Sequence, residues 1–151
     1  MTAYFVDEDA RAFSAWMTEL EMRGFDTKVL WNADEAFAHL ERVTVADVDL
    51  VVVDVMLAVS ESTQTRFTPE RTDGYLETGL RLLEDLSVAN PSVFPMCAVF
   101  LTNTASQSTL AETLRVGKVL NVPVWSKAQF VSPVEFGDSV AQRVAEIRLP
   151  K

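Results

Sequence analysis

Asp54 is the residue most suited to chemistry, because of the apolar run that precedes it. It lies in the stretch LVVVDVML, which spans Leu50–Leu57. A continuous valine-rich run of this length is typical of a strand buried on both faces of a parallel sheet. We therefore expect Asp54 near the carboxyl end of that strand, where open α/β sheets place their ligands. A carboxylate buried there is costly unless another group pairs with it.

Polar residues follow three other apolar runs of the chain. They are Asp7, Glu8 and Asp9 after the first run, Thr102 after the fourth and Lys127 after the fifth. Crowded carboxylates repel one another, and a hard cation such as Mg²⁺ relieves this repulsion. The set predicts a phosphoryl-group site with Asp54 as nucleophile and with Mg²⁺ and Lys127 as neutralising charges. Taken singly, the acidic run also suits a solvated turn, the threonine a turn and the lysine an exposed surface.

Apolar periodicity predicts five strands that alternate with helices. The strands are expected at Ala3–Val6, Asp26–Leu30, Leu50–Leu57, Met96–Leu101 and Val119–Trp125. The helices are expected at Arg11–Gly24, from Asn32, at Gly74–Val88, at Gln107–Val116 and from Ser132. This alternation predicts an α/β fold, with a parallel sheet covered by helices on both faces. The chain has neither a GxGxxG nor a GxxxxGK[ST] motif, which argues against dinucleotide binding and P-loop NTPase activity.

The inserted segment, residues 58–73, has no clear period and separates the third strand from the next predicted helix. Loops of this length are uncommon inside a compact domain and are often functional or mobile. Because it begins directly after the candidate nucleophile, we interpret it as a lid or a partner-contact loop, with a neutral insertion as the alternative. Arg66 and Arg71 are its candidates for contacting a phosphoryl group or a partner.

Length and composition favour one globular domain over residues 1–151. The net charge of -9, from 13 basic and 22 acidic residues, argues against direct binding to nucleic acid or an anionic membrane. This acidic charge either keeps the protein soluble or steers a basic partner toward it. The first strand begins at Ala3 and leaves no room for a signal peptide, and the only cysteine, Cys97, lies in an apolar run. These features predict a cytoplasmic protein.

The chain resembles the receiver domain of bacterial two-component response regulators over nearly its whole length. The matching pieces are FVDED, MRGFDTKVLWNADEAFAHL, DLVVVDVML, AVFLTN and VWSK. The resemblance implies a flavodoxin-like (βα)5 fold with strand order 2-1-3-4-5. It also implies a phosphorylated Asp54, a switch hydroxyl on Thr102, a phosphate-binding Lys127, and Mg²⁺ held by Asp7, Glu8, Asp54 and the backbone carbonyl of Met56.

One segment and three positions depart from the pattern of that family. The inserted segment makes the chain between Asp54 and Gly74 longer than in typical receivers by roughly a dozen residues. Glu8 replaces the usual second aspartate. Its longer side chain is expected to move the metal ion or to let Asp9 take part in binding it. Ala128 replaces the proline that usually follows a cis bond after the lysine. A non-proline cis bond costs roughly 2.5–4 kcal/mol, so we expect a trans bond and a different placement of Lys127. Val124 replaces the usual aromatic switch residue, while Trp125 is expected to point to the other face of the sheet.

The resemblance predicts a stand-alone receiver, with no catalysis beyond its own phosphorylation and dephosphorylation. Its expected partners are a histidine kinase or phosphotransfer protein and a separate output protein, unless the sequence is a fragment of a longer chain. A homodimer is left open. A pseudo-receiver, which binds partners without being phosphorylated, is the alternative. A hydrolase with an aspartate nucleophile is disfavoured, because Met56 occupies the place of its general acid.

Overall fold

In the computed structural model, which describes residues 1–60, 65–103 and 106–148, five strands form a single parallel sheet. The strands are β1 (Thr2–Val6), β2 (Asp26–Leu30), β3 (Leu50–Asp54), β4 (Ala98–Thr102) and β5 (Val124–Ser126). Their order is β2-β1-β3-β4-β5, and each neighbouring pair is parallel. The predicted α/β, flavodoxin-like fold with strand order 2-1-3-4-5 is therefore confirmed.

Six α-helices connect and cover these strands in the described residues. They are α1 (Ser14–Met22), α2 (Ala33–Leu40), the single turn α3 (Pro69–Thr72), α4 (Thr78–Ala89), α5 (Gln107–Leu120) and α6 (Pro133–Arg148). Short 3-10 turns at Ala10–Phe13 and Lys127–Gln129 precede α1 and follow β5. None of the helices in the described ranges is long and apolar enough to cross a membrane.

Side-chain caps set the beginning of α2 and α6. The side chain of Asn32 accepts a hydrogen bond from the Glu35 N–H at 2.9 Å at the start of α2. At the start of α6, the Ser132 hydroxyl accepts a hydrogen bond from the Glu135 N–H at 3.3 Å, and Pro133 is the first helical residue. Each cap satisfies a backbone donor that has no partner inside the helix. The predicted starts of these two helices are thereby confirmed.

The central strand β3 is buried on both faces of the sheet. Val51 and Val53 belong to the apolar cluster beneath α2, α4 and α5, whereas Leu50 and Val52 belong to the cluster beneath α1 and α6. Alternating side chains of a strand point to opposite faces, so a run that is apolar at every position suits a strand with helices on both sides. The last residue of this strand is Asp54.

The boundary between α5 and β5 differs from the prediction. The helix continues to Leu120, ends at Asn121 in the left-handed conformation (φ 57°), and leaves only three residues in the strand. Gly117, which suggested the end of the helix, lies inside it instead. A Cβ there would approach Cγ2 of Val124 to 2.8 Å, so this glycine serves close packing between helix and strand.

Candidate functional site

Asp54 ends β3 with its side chain almost completely buried, since only 8% of the residue is exposed. Burial raises the pKa of its carboxyl to about 7, and repulsion from Asp7 adds to the rise. The Lys127 ammonium and a hydrogen bond from the Met56 backbone N–H act in the opposite direction. The site therefore holds a carboxylate whose negative charge is incompletely compensated by the protein itself.

Asp7, Asp54 and Lys127 meet at the carboxyl edge of the sheet, as predicted from the ends of their strands. Asp7 is 3% exposed and directly follows β1. The Nζ atom of Lys127 lies 3.4 Å from Oδ2 of Asp7 and 3.7 Å from Oδ1 of Asp54. Both distances exceed the 2.7–2.9 Å that is usual for a charge-assisted hydrogen bond. One ammonium group is thus shared between two buried carboxylates.

Lys127 reaches this position although a cis proline is missing. The Lys127–Ala128 bond is trans, and the chain turns instead through the 3-10 turn that follows β5. The Ser126 side chain accepts from the Ala128 N–H at 3.2 Å, while Gln129 Oε1 accepts from the Ser126 N–H at 2.8 Å. This reciprocal capping box holds the turn. The trans bond was expected, and the capped turn brings the lysine to the carboxylates all the same.

Val124 and Trp125 point to opposite faces of the sheet. Val124 packs against the cluster beneath α2, α4 and α5, and Trp125 packs against the cluster beneath α1 and α6. The expected orientation of Trp125 is confirmed. The aromatic side chain next to the site therefore lies on the α1/α6 side, where its ring contacts Phe130 and Phe136 at centroid distances of 5.7 and 6.2 Å.

Thr102 ends β4 and is 5% exposed. It pairs in register with Ser126, while Asp54 pairs with Leu101. The threonine is therefore one register position beyond the aspartate on the neighbouring strand. Thr102 therefore lies at the same edge of the sheet as Asp54. Its role as a switch stays a prediction.

The residues suited to a metal fall into a buried pair and an exposed pair. Glu8 and Asp9 are exposed, and the Asp9 N–H donates to Oδ1 of Asp7 at 2.8 Å. In the described residues, no group of three acidic, histidine or cysteine side chains is arranged around a metal position. Mg²⁺ keeps several waters and needs only one or two carboxylates, so Asp7 and Asp54 fit this ion. Their mutual repulsion is an independent reason for a cation there.

The ligand roles of Glu8 and of the Met56 carbonyl remain predictions. Met56 is 41% exposed, and its backbone contributes to the site through the N–H that donates to Asp54. The exposed Glu8 carboxylate also raises the pKa of Asp54, although it is the smallest of the named causes. Both groups are therefore close enough to influence the buried carboxylate.

Gly79 is a residue of the site that sequence reasoning missed. The expected helix from Gly74 to Val88 begins four residues later, at Thr78, and Gly74 instead occupies a turn with φ 64°. A Cβ on Gly79 would lie 2.0 Å from the backbone oxygen of Asp54, and the Gly79 N–H donates to the Val55 carbonyl at 2.9 Å. This glycine lets α4 pack against the chain that carries the candidate phosphoacceptor. Only the tertiary structure distinguishes the two glycines.

The arginines of the inserted segment bind α4. Nε of Arg66 lies 3.3 Å from Oδ2 of Asp85, and Nη1 of Arg71 donates to the same oxygen at 2.8 Å. The Arg66 guanidinium also lies 3.8 Å from the ring centroid of Phe37. Both cations thus have a carboxylate partner on α4, and their contact with a phosphoryl group or a partner stays a prediction.

Further contacts hold the inserted segment to α2 and to the core. The Asp34 carboxylate accepts from the Ser60 N–H at 2.7 Å and from the Thr65 hydroxyl at 2.8 Å. The Phe67 side chain is fully buried, and residues 69–72 form the turn α3 where a loop was expected. The remainder of the predicted loop, residues 61–64, lies outside the described residues. The described part of this segment is an anchored layer over α2 and α4.

Comparison with known proteins reveals likeness in structure rather than in sequence. No family model and no curated protein matches the sequence of the chain. A CheY-like receiver domain protein from Methanospirillum hungatei JF-1 matches with a TM-score of 0.65 and 19% identity, over 97% of this chain and 94% of that one. The Francisella response regulator 1452 receiver domain matches with a TM-score of 0.64 and 21% identity, over 97% and 98%.

A response regulator from Thermotoga maritima gives a similar result, with a TM-score of 0.62 and 22% identity over 95% of this chain and 97% of that one. At such identities the likeness establishes the shared fold. The chain therefore has the fold of response-regulator receiver domains, and its resemblance to them extends over nearly its whole length.

Proposed function

We propose that the protein is a phosphoacceptor receiver in two-component signalling, with Asp54 as the phosphorylated residue. The observation that carries this proposal is the Lys127 ammonium, which lies between the buried carboxylates of Asp7 and Asp54. A lysine shared by two carboxylates supplies positive charge where a transferred phosphoryl group needs it. The site also lies at the sheet edge where α/β folds of this kind bind their ligands.

The proposed reaction transfers a phosphoryl group from a phosphohistidine on a histidine kinase or phosphotransfer protein. An ionised oxygen of Asp54 attacks phosphorus, the P–N bond of the donor breaks, and a P–O bond forms as the acyl phosphate. Mg²⁺, when bound by Asp7 and Asp54, would supply positive charge for the phosphoryl oxygens. Lys127 neutralises the group that arrives, and burial of Asp54 limits the access of water to the product.

The proposed output is a change in affinity for a separate partner protein in the cytoplasm. The acyl phosphate offers new acceptor oxygens to Thr102, and this differential contact shifts the population of conformations of the surrounding loops. One structurally similar response regulator, from Burkholderia pseudomallei, contains a phosphorylated aspartic acid and a calcium ion (TM-score 0.56, 18% identity, covering 97% of this chain and 72% of that one). Because the two proteins are similar in fold, that structure supports the proposed phosphorylation of Asp54 by analogy.

The first test is intact mass after incubation with acetyl phosphate and Mg²⁺. We expect one added phosphoryl group on the wild-type chain. The Asp54→Asn variant and a wild-type sample with EDTA should remain unmodified. An adduct that persists in the variant would place the modification on another residue and contradict the assignment of Asp54.

The alternative is a pseudo-receiver that binds a partner without being phosphorylated. The exposure of Glu8 favours it, as does the lack of a three-residue metal cluster in the described residues. Titration with Mg²⁺, followed by tryptophan fluorescence, to which Trp125 contributes, separates the two proposals. A pseudo-receiver predicts no saturable change, whereas a phosphoacceptor predicts one that the Asp54→Asn variant weakens.

A further inference from the structure

We propose that Phe13 is a positioning residue for Lys127. This role rests on the proposed function, because it concerns how the lysine meets the incoming phosphoryl group. The Nζ atom of Lys127 lies 4.7 Å from the centroid of the Phe13 ring. The negative face of an aromatic ring attracts a cation within about 6 Å. Within the part of the chain that the structure describes, the ammonium therefore lies near two carboxylates and one aromatic ring.

The two carboxylates alone do not define the position of this ammonium. Its distances of 3.4 Å to Asp7 and 3.7 Å to Asp54 are long for charge-assisted hydrogen bonds. The lysine side chain is also 20% exposed, so water competes for its donors. The ring of Phe13 restricts the side chain and directs the ammonium group toward both carboxylates.

Phe13 itself is rigidly held. It is 6% exposed, lies at the end of the 3-10 turn that precedes α1, and contacts the ring of Trp16 at 5.1 Å. Trp16 in turn stacks on Phe136 of α6 at a centroid distance of 4.5 Å and an interplanar angle of 22°. Side chains packed in this way have little freedom to move. The ring is therefore a fixed platform for a flexible lysine.

The Phe13 ring explains how Lys127 reaches the two carboxylates although the peptide bond that follows it is trans. The 3-10 turn after β5 sets the direction in which the side chain leaves the backbone, and Phe13 sets the position of its far end. The aromatic residue involved lies on the α1/α6 side of the sheet, away from Val124. Removal of the ring should therefore lower the maximal rate of phosphorylation more than the affinity for Mg²⁺ or for the phosphoryl donor.

The test compares the variants Phe13→Leu and Phe13→Tyr with wild type during phosphorylation by acetyl phosphate and Mg²⁺. The control is Phe130→Leu, which removes a ring of the same aromatic cluster that contacts Trp16, Trp125 and Phe136. We expect Phe13→Leu to lower the maximal rate of phosphorylation roughly fivefold, the value of one ordinary cation–π contact. The half-saturating concentrations of Mg²⁺ and acetyl phosphate should change less. Phe13→Tyr should restore the rate, and the control should keep it.

Two kinetic results overturn the positioning role alone. One is an equal rate for Phe13→Leu and Phe130→Leu at matched stability, and the other is an equal loss in Phe13→Leu and Phe13→Tyr. The ring-current shift of the Lys127 ε-methylene protons provides a readout that does not depend on phosphorylation. We expect an upfield shift in wild type that Phe13→Leu removes, and its absence in wild type also overturns the inference. If the wild-type chain accepts no phosphoryl group, the proposed function itself fails, and the positioning role fails with it.

Discussion

The Nζ atom of Lys127 lies 3.7 Å from Oδ1 of Asp54, although β4 separates β3 from β5 in the sheet. The long lysine side chain spans the end of the intervening strand. The same ammonium lies 3.4 Å from Asp7, which follows β1 on the other side of β3. A single cation therefore joins the ends of three strands, and its removal should affect both carboxylates together.

Asp54 should make the stability of the protein depend on pH. Because its pKa is about 7 in the folded state and ordinary in the unfolded state, the unfolded chain loses its proton first as the pH rises. The free energy of unfolding should therefore fall between about pH 4 and pH 7 and level off above. In EDTA, the stabilisation by Asp54→Asn should be about 2–3 kcal/mol larger at pH 8 than at pH 5. Urea denaturation at the two pH values measures this difference.

The control for this prediction is Asp138→Asn, which removes an exposed carboxylate bound to Arg23. Its effect on stability should be nearly the same at pH 5 and pH 8. Equal effects of the Asp54 variant at both pH values would contradict the raised pKa of Asp54.

Loss of Lys127 should cost more when Asp54 is charged. The Lys127→Met variant keeps an unbranched side chain but leaves two buried carboxylates without their shared cation. We expect it to destabilise the protein at pH 8, since a buried charge without a partner is costly. In the Asp54→Asn background the loss should shrink by about 1–3 kcal/mol. A double-mutant cycle of unfolding free energies measures the coupling, and additive effects would contradict it.

Gly79 should tolerate no side chain. Alanine at this position would bring Cβ to 2.0 Å from the backbone oxygen of Asp54, so α4 must move away from the end of β3. We expect a loss of at least about 2–3 kcal/mol, together with slower phosphorylation of the displaced Asp54. Thermal denaturation and the acetyl phosphate assay provide the two measurements.

Gly74→Ala is the matched control for that variant. Gly74 has a positive φ of 64°, but a Cβ added there would meet open space. The variant should therefore lose about 1 kcal/mol of stability, with little effect on phosphorylation. An equal or smaller cost at Gly79 would show that α4 does not need this close approach.

The inserted segment should loosen when its anchor on α4 is removed. Asp85→Asn weakens the pairs with Arg66 and Arg71, whereas Phe67 remains buried and keeps the segment attached. Hydrogen exchange in residues 65–72 should become severalfold faster. Global stability should change by less than about 1 kcal/mol, because both arginines are partly exposed.

Glu84→Gln is the control on the same helix, since the ion pair of Glu84 is with Arg81, and its attraction for Arg71 is weaker than that of Asp85. Exchange in residues 65–72 should stay at its wild-type rate in this variant. An equal acceleration in the two variants would show that the ion pairs with Asp85 do not hold the segment.

The order of the elements and the meeting of three residues of the candidate site were predictable because they depend on local pattern. The run before Asp54 is apolar at every position, as a strand covered on both faces requires. Parallel strands bring their carboxyl ends to one edge, so Asp7, Asp54 and Lys127 were expected to meet there. The ends of the elements were less predictable, since Gly74 and Gly117 resemble helix ends but serve as a turn and a packing contact.

Local pattern in the sequence was sufficient to predict the parallel α/β fold and the chemical types assembled at the edge of its sheet, since these follow from periodicity and from the ends of apolar runs. Other contacts across the chain depended on the tertiary structure alone. It placed Gly79 against Asp54, Phe13 beneath Lys127, and the inserted arginines on Asp85. Such contacts depend on the packing of elements far apart in the sequence, for which no local pattern exists.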